Sequence, residues 1–182
     1  MSGQNRIHLL ERNEVTPEIA AVYDALLAAR GVVPNMFKIL AHAPAIAPAV
    51  AGFLKPLLSD GALRGWYKEL VAVRISQCGA CEYAIRAHSI SASQKGANEE
   101  QISSVSDFES GPYSAKEKLG FRLADKLHKG GPAIDNAFFS ELHATFSEPE
   151  LVELFLTAAA FEMFPRFIDG LRIPLTPPPA AK

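Results

Sequence analysis

No stretch of this 182-residue chain sustains the two-residue alternation of apolar and polar side chains that a half-buried strand requires. Helix punctuation recurs instead. Thr16-Pro17-Glu18 offers an N-cap, a proline at the first helical position and an early acidic side chain. Ser114 with Glu117, and Ser147 with Glu150, carry capping-box spacing, and Asn98 with Gln101 is a related start. Apolar residues follow at helical intervals, as in Ile19, Val22, Tyr23, Leu26 and Leu27 ahead of Gly31. Breaks fall at residues 31–35, 43–44, 59–61, 108–112 and 130–132. This pattern predicts an all-α chain of about seven to nine helices.

At 48% hydrophobic and 21% charged, the sequence has the composition of one ordinary folded domain, expected over 16–175. Residues 1–15 read as an N-terminal extension and 176–182 as a flexible Pro-rich tail. A net charge of −2 lacks the basic surplus that phosphate-backbone binding needs, so no nucleic-acid partner is expected. No apolar run approaches the ~18 residues of a membrane span. The polar start Met1-Ser2-Gly3-Gln4-Asn5-Arg6 leads into no signal-peptide core. Two cysteines cannot staple a chain this long. A cytoplasmic protein is the expectation.

Those two cysteines, Cys78 and Cys81, sit where two helices are expected to meet near Gly79. If the second helix starts at about Ala80, Cys81 lies in its first turn, where unpaired N–H groups and the helix dipole favour a thiolate. Helical spacing from Cys81 puts Ala84, Ile85, His88 and Ala92 on one small, apolar stripe. His88 is then a satisfied core histidine or a functional one. Glu69, in an equally apolar run, either snorkels outward or sits in the core. A metal is not expected, because no second CxxC and no histidine at ligand spacing complete a zinc site. His8, His42, His128 and His143 are scattered and read as structural. No phosphate loop, dinucleotide fingerprint or haem motif calls for a cofactor.

Taken together, Glu69-Leu70, Arg74, Cys81-Glu82-Tyr83 and His88 resemble the signature of the carboxymuconolactone decarboxylase and AhpD-like alkylhydroperoxidase superfamily. Gly31-Val32-Val33-Pro34-Asn35 and the ending from Phe164 to Leu175 are similar to further phrases of that family. The resemblance implies an all-α fold built around a helical hairpin and assembled as a homo-oligomer, a dimer, trimer or hexamer. It also implies a hydroperoxide substrate and an external dithiol as reductant. The catalytic set would be Cys81, Cys78, Glu69 and His88, with Glu69 taking the Cys81 proton, Cys78 resolving the sulfenic acid and His88 protonating the leaving group. Tyr83 and Arg74 would support them.

The chain departs from the family pattern at Ala84. The peroxidase branch has its second cysteine there and the decarboxylase branch a glutamate. The second thiol here is Cys78, on the other side of Cys81, and Cys81 and His88 are separated by about 10 Å of helix rise. Two other readings follow: a decarboxylase-like enzyme using Glu69 and His88 for acid–base chemistry, or a non-catalytic oligomeric member. Arg74, five residues past Glu69, is poorly placed to pair with it and is expected to bridge to a neighbouring chain. The apolar helix expected from about Glu150 to Gly170, with Phe155, Phe161, Phe164 and Phe167, suggests a core or subunit interface.

Overall fold

A computed structural model describes residues 5–178. Residues 1–4 and 179–182, and with them most of the expected tail, lie outside the described residues. The described chain is all helical, as expected: α1 Pro17–Arg30, α2 Asn35–Leu40, α3 Ala47–Leu58, α4 Gly65–Cys78, α5 Glu82–Gln94, α6 Glu99–Ser103, α7 Ala115–His128, α8 Asn136–Thr145 and α9 Glu148–Leu171. Each start read from the sequence is capped. Thr16 accepts from the Ile19 N–H at 3.5 Å. Asn98 with Gln101 and Ser114 with Glu117 form complete capping boxes. The Ser147 N–H donates to Glu150 at 2.8 Å. Such caps satisfy amides that the first turn leaves without partners. Among the described residues no helix is long and apolar enough to cross a membrane.

The chain divides into two compact units, one up to Lys55 and again from Phe167, the other Pro56–Arg166. In the first, Ile19, Tyr23, Phe37, Ile39, Ile168 and Ile173 are buried. Here the two family-like phrases meet: the Asn35 side-chain amide donates to the carbonyls of Pro174 and Leu175, each at 3.2 Å. The Asn35 N–H donates to Thr176 Oγ1 at 3.0 Å, which holds the first residue of the Pro-rich segment.

The second unit is built around α4, whose Leu70, Val71, Ala72, Val73 and Ile75 are fully buried. A helix apolar on every face needs cover on every face, and α4 packs against both α5 and α7. Lys68, 1% exposed, is buried with its Nζ 2.8 Å from Glu153, which also accepts the Ala62 and Leu63 N–H groups.

α4 and α5 form the expected hairpin through a tight turn. The Ala80 N–H returns to the Gln77 carbonyl at 3.1 Å and the Cys81 N–H to the Ser76 carbonyl at 3.0 Å, the bonding pattern of a Schellman stop. The left-handed residue is Ala80, at φ +55°, whereas Gly79 stays right-handed at φ −84°, ψ −1°. The conformational freedom that the sequence assigns to Gly79 is used one residue later, by an alanine.

Candidate active site

Glu69 is fully buried, which settles the choice left open by its sequence context. Its side chain points from α4 onto one stripe of α5 made by His88, Ser91 and Lys95. Oε2 accepts from His88 Nδ1 at 2.6 Å, and Oε1 accepts from Ser91 Oγ at 2.7 Å and from Lys95 Nζ. Burial by itself would push this carboxyl's pKa up. The hydrogen bonds and charges of His88 and Lys95 outweigh that and hold it at about 2. Glu69 is therefore a carboxylate at neutral pH. Because a carboxylate can only accept, His88 Nδ1 carries the hydrogen, and Nε2 is the nitrogen placed to exchange a proton. His88 is itself buried, and its ring packs edge-on against Phe161, ring centroids 4.2 Å apart.

Cys81 heads the same helix. It is the N-cap of α5, its carbonyl accepts from the Ile85 N–H at 3.1 Å, and it is fully buried. The expected place in the first turn is off by one position, because Ala80 is spent on the turn. Tyr83, in that first turn, is buried as well.

Cys78 faces elsewhere. Nine residues of helix are two and a half turns, so Cys78 and Glu69 project from opposite sides of α4. The Cys78 thiol donates to Asp125 of α7 at 3.4 Å. Partial burial, then the negative charge of Asp125, push this thiol up to about 11, with Arg74 opposing them. Arg74 grips both oxygens of Asp125, at 2.6 and 2.9 Å, donates to the Ser106 carbonyl at 3.2 Å, and lies over the Phe108 ring. It pairs within its own chain, which replaces the expected bridge to a neighbour. Asp125 is 51 residues away in sequence, and no local rule reveals it. Arg74 and Asp125 also line an open cleft of about 390 Å³ with Phe108, Arg122 and Lys126.

The structure thus brings Glu69 and His88 together and puts Cys78 and Arg74 on the opposite side of α4, with Cys81 at the junction, buried and in no disulfide. Sequence reasoning missed Ser91 and Lys95. The signal was present: with His88 they occupy i, i+3 and i+7, one helix stripe, and a carboxylate buried opposite such a stripe requires several donors.

The sequence profile of the carboxymuconolactone decarboxylase family matches residues 44–125, the stretch that contains Glu69, both cysteines and His88. The protein YnjA of Escherichia coli is 26% identical over 108 residues, a match that spans 59% of either chain. The alkylhydroperoxidase AhpD core of a peroxidase-related protein from Ralstonia eutropha superposes with a TM-score of 0.85 at 20% identity, covering 94% of this chain and 92% of that one. A cysteine-to-alanine form of the debrominase Bmp8, in complex with 2,3,4-tribromopyrrole, superposes with a TM-score of 0.83 at 20% identity, covering 94% of both. At such identities the structural likeness is one of fold. The profile match spans the helical hairpin and its buried glutamate–histidine pair, so residues 44–125 are similar to the carboxymuconolactone decarboxylase family.

Proposed function

We propose that the chain reduces hydroperoxides by thiol chemistry at Cys81, with the His88–Glu69 pair moving the proton and Cys78 closing a disulfide. The observation that carries this reading is that Cys81 caps the helix whose His88 is hydrogen-bonded to a fully buried carboxylate. Relative to the sequence expectation, the roles of the pair are exchanged. Glu69 orients and charge-balances the imidazole, and His88 Nε2 takes the Cys81 proton across the intervening helix rise through bridging water.

The thiolate attacks the terminal oxygen of the hydroperoxide. The O–O bond breaks, the alkoxide leaves with the proton from His88, and Cys81 becomes a sulfenic acid. Cys78 then attacks that sulfur; the S–S bond forms, the S–O bond breaks, and water departs with the Cys78 proton. An external dithiol restores both thiols by exchange and is itself oxidised to a disulfide. Closing the disulfide requires the Cα atoms of Cys78 and Cys81 to come within about 7 Å across the Gly79–Ala80 turn. With Cys81 fully buried, entry of the peroxide requires motion of the exposed Gly79–Ala80 turn. A second copy of the chain is the partner read for α9, where Val152, Leu156 and Met163 are 65%, 44% and 55% exposed on one stripe.

The test is stoichiometric. One equivalent of hydroperoxide is expected to remove both free thiols with a mass loss of about 2 Da. Cys78→Ser is expected to stop the reaction at the Cys81 sulfenic acid. Thiols left untouched by hydroperoxide contradict the proposal.

A second reading is supported by one feature: the donor set around Glu69 is complete without either cysteine. On that reading His88 performs proton transfer on a lactone-like carbon acid, and Cys81→Ser retains full activity.

A further inference from the structure

We propose that Lys95 is a positioning residue of this site: its ammonium supplies the positive charge that lets Glu69 remain a buried carboxylate while His88 keeps one ring nitrogen free of a proton. The inference rests on the His88–Glu69 relay proposed above and deepens it.

Lys95 is the C-cap of α5, seven residues beyond His88. Its Nζ donates to Glu69 Oε1 and, at 2.6 Å, to the Leu58 carbonyl near the end of α3. That second bond satisfies a helix-end carbonyl and fixes the ammonium from a side independent of Glu69. Although its side chain is 32% exposed, the lysine is held by two partners from different elements.

Charge balance then assigns its role. A carboxylate with no exposed surface needs close to one compensating positive charge. The groups that can offset the Glu69 charge are Lys95 and, only when it is protonated, His88. Against His88, α9 sets the uncharged Phe161 ring, and α4 sets Glu69 itself. With Lys95 in place, a neutral imidazole donating from Nδ1 completes the site. Without it the whole requirement falls on His88, which then holds protons on both nitrogens and ceases to be an acceptor. Ser91 supplies a hydrogen bond but no charge, so it cannot substitute.

The test uses Lys95→Gln, which retains a donor but loses the charge, and Lys95→Arg, which retains both. Three readouts are taken on each protein: ¹⁵N shifts of the His88 ring, the ¹³C titration of the Glu69 carboxyl, and the rate of thiol oxidation by hydroperoxide. For Lys95→Gln the expected results are a gain of the second ring proton at neutral pH, a Glu69 titration at least one pH unit higher, and oxidation at least tenfold slower. Lys95→Arg is expected to restore all three. A Lys95→Gln protein with parental His88 and Glu69 spectra overturns the proposal, as does one whose spectra change while its oxidation rate does not. If the parent protein leaves hydroperoxide unreduced, the functional reading fails, and the two spectroscopic readouts still decide the place of Lys95.

Discussion

The turn between the two cysteines makes a prediction that separates the structure from the plain reading of its sequence. Ala80 sits at φ +55°, a region in which a Cβ costs about 1–2 kcal/mol. Replacing it with glycine removes that cost but adds about 0.5–1 kcal/mol of lost backbone freedom on folding. The net expectation for Ala80→Gly is a stabilisation of about 0.5–1 kcal/mol, with both Schellman hydrogen bonds retained. Gly79, at φ −84°, ψ −1°, is in a conformation open to any residue. A Cβ built there meets only the Ile75 and Ser76 carbonyls, at 3.8 and 3.9 Å, an ordinary contact distance. Gly79→Ala is therefore expected to stabilise as well, by about 0.4–1 kcal/mol, through the unfolded chain. At about 2–4 °C per kcal/mol for a chain of this length, each substitution raises the thermal midpoint by about 1–4 °C. Thermal unfolding followed by circular dichroism, with guanidinium unfolding as a second measure, reads both. If glycine 79 were the left-handed residue, Gly79→Ala would lose stability and Ala80→Gly would gain none. That pair of results refutes the turn described here.

Two further outcomes follow from charges whose partners are distant in sequence. Asp125→Asn removes a negative charge that suppresses ionisation of Cys78 and leaves Arg74 to favour it, so iodoacetamide should alkylate Cys78 about tenfold faster for each unit its pKa falls; an unchanged rate at pH 8 contradicts the assignment. Glu153→Gln leaves the buried Lys68 ammonium uncompensated and should cost about 3–5 kcal/mol in denaturant unfolding, more than Lys68→Met, which removes the charge with its partner's need for it. Equal losses would mean that Lys68 is not buried as described.

The parts of this fold that could be read from sequence are the local ones. Thr16, Asn98, Ser114 and Ser147 cap helices because a cap is chosen by residues three positions away. The opposition of Cys78 and Glu69 was also legible, as nine residues of helix. The family phrase draws attention to the four residues as one set and obscures the angle between them. Ala80 could not be found, because a glycine next to it offers the cheaper left-handed residue and only the hydrogen bonds from Gln77 and Ser76 reveal which position is used. Arg74 and Lys68 pair with Asp125 and Glu153, whose approach is decided by how α7 and α9 pack on α4. His88 was found from its spacing to Cys81 and from the family phrase, whereas burial of Glu69, which would have predicted donors on the facing helix, was left open. Ser91 and Lys95 lie on the same stripe and needed that burial to be known.

The central claim is that a buried His88, held by Glu69, makes the Cys81 thiol react. Stopped-flow measurement of thiol oxidation by hydroperoxide in the parent chain and in His88→Asn tests it most directly. A rate lower by about 10²-fold or more is expected in His88→Asn, as for loss of a positioned general base. Oxidation of Cys81 at the parental rate in that variant would contradict it.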